Sequence, residues 1–374
     1  MSAANIYADL GVTPVINARG NQTVLGGSTP SGPVRAAMES ADRYFVDMEE
    51  LLRRTGKIAA ELIGCEDAYI TPGCAAAMAL GMAACIAGDD EEKMAHLPDT
   101  TGMRRDMLVQ TRHRYSYDHP PTIVGARRVE VGDARGTTAQ QLAEAMGPDT
   151  AAVLFPAHLN DQEGTVPLTE VIQIAHEREI PVLVDAASQV YPVERLGSWT
   201  AQGADLVCFG AKYLGATNSS GLLCGRADLV ASARRQGFIG FETGGRIAFG
   251  RPLKLDRQEI IAVTVALREW VTMDHEVRIQ EVQRKVDTVA RGLAGIEGAT
   301  SSVLVGARFG APALHIEIGP GTGKTAGDIA AALEQGNPSI RVGHDATALD
   351  LNLGTVADGD EEVIAARLRE LLTP

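Results

Sequence analysis

The apolar run Leu206-Val207-Cys208-Phe209 ends on Gly210-Ala211-Lys212, and Gly215, Ser219, Ser220 and Gly221 follow. An amine at the mouth of a buried strand is costly to keep charged, so its pKa is easily lowered and it becomes a nucleophile. Most lysines just beyond a strand are solvated loop ends, so Lys212 needs a partner. The segment IPVLVDAASQVYP supplies one by placing Asp185 at the carboxyl end of another apolar strand. Ligands of open α/β sheets bind beyond such strand ends, although an aspartate there can also serve only to cap the next helix. Together the two residues suggest a specific need: an amine to form an imine with a carbonyl cofactor, and a carboxylate to hold a pyridinium proton. Pyridoxal 5'-phosphate requires that pair.

The cofactor's phosphate needs backbone N–H groups at a helix start. In YITPGCAAAMALGMAACIAG a strand end meets the turn Thr71-Pro72-Gly73 and then an Ala-rich helix beginning near Cys74, so the amides of Gly73 and Cys74 would face the anion. A further strand, DMLVQTRHRYSYDHP, ends in Arg112, His113, Tyr115, Tyr117 and His119. A flat cofactor ring needs an aromatic or imidazole face to stack on, and His113 is the residue expected to provide it. No acid–His spacing there matches a usual ligand set, so no metal is expected. GPGTGKT at 319–325 imitates a phosphate-binding loop, but only three residues separate Gly319 from Gly323 where that loop requires four.

These residues must be positioned by a sheet. Strand-like runs at 68–71, 107–111, 128–131, 152–156, 182–185, 206–209 and 221–224 alternate with amphipathic stretches such as 168–178. This pattern predicts an α/β fold with a mostly parallel seven-stranded sheet covered on both faces. One long helix is expected from about Arg257 to Leu293, then strands at 313–318 and 339–342 and a last helix over 359–372. The predicted organisation is an N-terminal segment, 1–45, contributing to the active site and the small domain; a large cofactor-binding domain, 46–255; and a long helix with a smaller α+β domain, 256–374.

The 374 residues carry a net charge of −14, with 45% hydrophobic and 22% charged residues. That balance argues against a nucleic-acid partner or an anionic membrane surface and favours small molecules. Five cysteines without C-x-x-C spacing read as reduced thiols of a cytoplasmic protein. The N-terminus lacks the pattern of a signal peptide, and no apolar run reaches transmembrane length.

INARGNQTVLGGS, YFVDMEELLRRTGKIAAELIGCEDAYITPGCAAA, VLVDAASQ, the lysine strand with SSGLLCG behind it, and FGRPLKLDRQEI resemble, in this order, the selenocysteine-synthase-like branch of fold-type-I pyridoxal phosphate enzymes. Within that branch the resemblance is to the D-glucosaminate-6-phosphate ammonia-lyase group. It implies a homo-oligomer built on dimers with active sites at the subunit interface. It also implies that Lys212 is the Schiff-base lysine and Asp185 the pyridine-nitrogen partner, with Gly73 and Cys74 as the phosphate cup and His113 as the stacking ring. Ser188 would reach the phenolic oxygen, and Arg251 of GRPLK the neighbouring subunit's cofactor phosphate. Phe209 stands where relatives often carry a serine, which leaves a phosphate-binding hydroxyl to be supplied elsewhere, for instance by Ser219 or Ser220. The N-terminal region lacks a basic tRNA-binding segment, so tRNA chemistry is set aside.

The expected activity is α-proton abstraction from a small amino acid or amino sugar acid, with β-elimination of water and release of ammonia. A racemase, epimerase or aldolase on the same cofactor is the alternative, and a non-catalytic binding protein of the same fold a remote one. A substrate carboxylate calls for an arginine. Arg19 is the chosen candidate, ahead of Arg308 and Arg341.

Overall fold

The computed structural model describes residues 6–243 and 247–373, apart from the side chains of residues 307 and 308. The chain forms two compact units, one comprising Met1–Ser28 and Met273–Pro374 and the other Thr29–Thr272. Strand β1 (Val15–Ala18) is the N-terminal segment's contribution to the smaller unit.

The larger unit holds β2 (Asp67–Thr71), β3 (Asp106–Gln110), β4 (Arg127–Val131), β5 (Thr150–Pro156), β6 (Val182–Asp185), β7 (Leu206–Gly210) and β8 (Gly221–Gly225). They form a seven-stranded sheet in the order β2-β8-β7-β6-β5-β3-β4, parallel except for β8, which runs against both of its neighbours. Each of the seven strands expected from the sequence is present. The central strands are buried along their whole length, which is why they read as continuous apolar runs rather than alternating ones. The Ala-rich helix Cys74–Ala87 lies against this sheet. A side chain at Gly81 would stand 3.1 Å from a Leu183 methyl and 3.3 Å from methyls of Leu206 and Leu223, so small residues are what let the helix approach β6, β7 and β8.

The smaller unit contains β9 (Ala299–Arg308), β10 (Ala311–Ile318), β11 (Ser339–His344) and β12 (Ala348–Leu351), in a five-stranded sheet of order β1-β11-β12-β10-β9. β1 runs parallel to β11, with Asn17 opposite Arg341. The core of this unit joins Val282, Val286 and Val289 to Leu314, Ile316, Ile329, Ile340 and Ile364.

Two expectations are corrected. The long helix of 257–293 is two helices, Arg257–Thr272 and His275–Gly292, because the Asp274 carboxylate accepts the N–H groups of Glu276 and Val277 and so starts a new helix. The division of the chain falls at Thr272 rather than near Asp256. The helix Arg257–Thr272 buries Ile260, Val263, Leu267 and Trp270 in the larger unit, and the Trp270 indole N–H donates to the Val190 carbonyl at 2.9 Å. The N-terminal segment likewise ends at Ser28, not residue 45. Among the described residues no helix is long and apolar enough to cross a membrane.

Candidate active site

Asp185 ends β6, where it sits opposite Pro156 of β5 and Cys208 of β7. The residues after it turn back toward the sheet: Ala186 N–H donates to the Cys208 carbonyl at 3.0 Å, and Gly210 N–H to the Ala187 carbonyl at 2.9 Å. Lys212 lies just past β7, in a 3-10 turn over Ala211–Leu214. The β6 and β7 ends therefore bring carboxylate and amine to the same edge of the sheet, as the sequence led us to expect.

Asp185 is 4% exposed. Its Oδ1 accepts the Ala187 N–H at 3.0 Å and the Cys74 thiol at 3.4 Å, while Oδ2 accepts the Tyr115 hydroxyl. Burial pushes the Cys74 thiol well up, and the neighbouring Asp185 charge adds to that shift. Lys212 is half-buried and its pKa is lowered by that burial, an effect partly opposed by Cys74. Its ammonium lies 5.2 Å from the centre of the Tyr213 ring. A lysine with a lowered pKa holds a larger fraction of neutral amine near pH 7, the form that attacks a carbonyl or takes a proton.

Gly73 caps the helix Cys74–Ala87 at φ +90°, a left-handed conformation that favours glycine, and no side chain bonds to the first-turn amides. A Cβ built at Gly73 would meet nothing within 4 Å. On the other flank, a Cβ at Gly221 would lie 2.5 Å from the Gly73 carbonyl carbon and 2.7 Å from the Cys74 nitrogen. Glycine at 221 thus lets β8 press directly on the turn. The result is a helix N-terminus with unfilled donors and open space above it, suited to an anion.

The remaining expected residues fare differently. His113 is fully buried, edge-on to Phe155 at 4.9 Å and 87°. Its Nε2 faces the Leu159 carbonyl at 3.1 Å and its Nδ1 the Gln110 amide at 3.4 Å. Burial depresses its pKa to about 4, with the Leu159 carbonyl opposing. This imidazole is therefore held in place through both ring nitrogens at the end of β3. The aromatic ring that reaches Asp185 belongs to Tyr115, two residues on. Ser188 is half-buried in the turn after β6. Arg251 pairs with Glu242 of its own chain at 2.9 Å, its guanidinium 5.8 Å from the Phe241 ring.

The Ser219 hydroxyl donates to Glu259 and that of Ser220 to the Thr217 carbonyl, so neither is held in reserve for a phosphate. In the same loop, Thr217 Oγ1 and Asn218 Oδ1 are buried without a hydrogen-bond partner. Buried polar atoms are usually paired, and a bound phosphate could accept the Thr217 hydroxyl. Arg19 belongs to the smaller unit, where it is exposed at the end of β1 and lines a cavity of about 190 Å³ with Arg341, Glu334 and His344. The side chain of Arg308 lies outside the described residues. No group of three or more metal-ligating side chains occurs among the described residues.

Residues 124–350 match the aminotransferase class-V family model. The chain belongs to that family. It is 35% identical to the 5'-C-glycyluridine monooxygenase-decarboxylase of a Streptomyces species, over 98% of this chain and 92% of the relative. It is 30% identical to the D-glucosaminate-6-phosphate ammonia lyase of Salmonella typhimurium, over 98% of each chain. A solved structure of a D-glucosaminate-6-phosphate ammonia-lyase superposes with a TM-score of 0.87 at 29% identity, covering 99% of this chain and 98% of that one. The fold is the fold-type-I arrangement of the family, and pyridoxal phosphate is its cofactor. The residues present fit that group. The open helix start at Gly73 and Cys74 suits its phosphate, the Lys212 amine its aldehyde, and the buried Asp185 carboxylate its ring nitrogen.

Proposed function

We propose that the protein is a pyridoxal-phosphate-dependent ammonia-lyase acting on a 2-amino-3-hydroxy acid, with an amino sugar acid as the favoured substrate. The observation that carries this reading is the convergence of Lys212, whose pKa is lowered by burial, the buried Asp185 carboxylate and the open Gly73 turn on one sheet edge. When bound, pyridoxal phosphate supplies an electron sink for the pair left at the substrate's α-carbon. Lys212, with its lowered pKa, takes the α-proton. Asp185 holds a proton at the ring nitrogen, and the amides of Gly73 and Cys74 bind the phosphate. The β-hydroxyl leaves as water, and hydrolysis returns that water as ammonia departs. The net products are a 2-keto-3-deoxy acid and ammonium. The assignment further gives Ser188 the role of partner to the cofactor's phenolic oxygen and Arg19 that of partner to the substrate carboxylate.

The same reading makes the protein a cytoplasmic homo-oligomer built on dimers, without a nucleic-acid or membrane partner, in which Arg251 reaches the partner's cofactor phosphate. Mixing Arg251→Ala with Lys212→Ala chains checks this. Recovery of activity in verified mixed dimers supports a shared site, and no recovery assigns Arg251 to its own subunit.

The reaction itself is tested by incubating the holoenzyme with D-glucosaminate 6-phosphate and related 2-amino-3-hydroxy acids. Equal yields of ammonia and 2-keto-3-deoxy acid are expected. Exchange of the α-proton with solvent deuterium without ammonia release would point instead to a racemase or epimerase. Oxygen uptake with loss of carbon dioxide would favour the chemistry named for the Streptomyces relative.

A further inference from the structure

We infer that Tyr115 is a positioning residue, whose hydroxyl fixes the Asp185 carboxylate so that a single acceptor site remains for the proton on the cofactor's ring nitrogen. The inference rests on the reading of Asp185 as the ring-nitrogen partner. It concerns a residue 70 positions away in sequence that no motif connects to that aspartate.

An ionised carboxylate offers about four lone-pair sites. On Asp185 three are taken by this chain: two on Oδ1, by the Ala187 N–H and the Cys74 thiol, and one on Oδ2, by the Tyr115 hydroxyl. With both oxygens held, the carboxylate cannot rotate about its terminal bond without breaking a contact. The fourth site is therefore aimed. Tyr115 is itself held: its ring meets the His158 ring at 5.1 Å and 66°, and its hydroxyl also lies 3.9 Å from the Met78 sulfur. Burial and then the Asp185 charge push its pKa far above the ordinary phenol value, so it stays a neutral donor across the working pH range. A donor on Oδ2 draws charge from the oxygen that must hold the ring-nitrogen proton, so Tyr115 also sets how tightly that proton is held.

The test is proton NMR of the holoenzyme loaded with pyridoxal phosphate carrying nitrogen-15 in the ring. The signal read is that of the nitrogen-bound proton. Tyr115→Phe keeps the ring and removes the donor, so Asp185 should hold the proton more tightly and the signal should move downfield. Incorporation of 3-fluorotyrosine at position 115 makes a stronger donor and should move the signal upfield. It keeps both ring and hydroxyl, so it decides the question even if Tyr115→Phe does not fold. Tyr117→Phe, at a neighbour that is 68% exposed, should leave the signal in place. An unmoved signal in the fluorotyrosine protein, or the same direction of shift in both Tyr115 variants, overturns the inference. A wild-type holoenzyme with bound cofactor and no nitrogen-bound proton overturns instead the reading of Asp185 on which it rests.

Discussion

The turn Thr71-Pro72-Gly73 and the turn from Gly319 to Lys324 each carry the chain from a strand into a helix, and the two helix starts are finished in opposite ways. At the first, no side chain caps the amides and space lies open above Gly73. At the second, Thr325 and Asp328 form a reciprocal capping box, with bonds of 3.1 and 3.0 Å, and the Lys324 ammonium donates to the Leu371 carbonyl. The second has the composition of a phosphate loop, but its own side chains cap the helix start. The first has an unremarkable composition and leaves its amides uncapped. What makes an anion site is therefore the set of unspent N–H groups, rather than the glycines and lysine around them.

The strongest way to break this contrast is to exchange the fates of the two lysines. Lys212→Ala should lower turnover by about 10²–10⁴-fold from loss of the general base alone. Borohydride should then no longer fix the cofactor on the peptide that spans position 212. Lys324→Ala should leave both readouts unchanged. A cofactor label on any other lysine in the wild-type protein would defeat the assignment.

Next in size is Asp185→Asn, which keeps the shape and removes the charge proposed to stabilise the ring-nitrogen proton. Turnover is expected to fall by about 10²–10³-fold while the cofactor remains bound. Steady-state kinetics beside an absorbance spectrum separate the two. Near wild-type turnover would reduce Asp185 to a structural role at the end of β6.

The glycines give a finer comparison. Gly73 and Gly323 both have positive φ, +90° and +64°, and a Cβ at either would touch nothing within 4 Å. Alanine should therefore cost about 1–2 kcal/mol of backbone strain at Gly323, which is left-handed helical, and about 1–3 kcal/mol at Gly73, whose ψ of 165° lies in a region almost confined to glycine. Only Gly73→Ala places its methyl where the phosphate would lie, so only that variant should need more cofactor to reach half-saturation. Equal cofactor affinity in the two variants would move the phosphate away from Gly73. The smallest effect belongs to Thr325→Ala, which loses a helix cap worth about 1 kcal/mol. Its urea midpoint should drop with cofactor affinity unchanged.

The sheet edge was legible in the sequence because buried parallel strands are continuous apolar runs, and a charged residue at the end of such a run stands out, as Asp185 does and as Lys212 does just beyond one. The smaller unit was harder. β1 and β12 have four residues each, too few for a period to declare itself, and β9 is an edge strand that exposes Val303, Leu304 and Val305 and so breaks the alternation. The helix break at Asp274 was hidden because a capping aspartate and a solvated one look alike in a helical pattern. His113 and Tyr115 stand two residues apart in one polar cluster. Which of them meets Asp185 depends on tertiary placement, and the sequence carried no signal to choose between them. The unpartnered Thr217 hydroxyl was invisible for the same reason.

The contact of Gly221 with the Gly73 turn has a practical meaning for anyone wishing to redirect this enzyme. Because main chain rests on main chain there, no side chain can be varied to adjust the fit, and any substitution at 221 would push β8 away from the turn. The mount proposed for the cofactor phosphate is thus inherited whole. A mutagenesis library should hold positions 73 and 221 constant and spend its diversity on positions where a side chain, rather than the main chain, makes the contact.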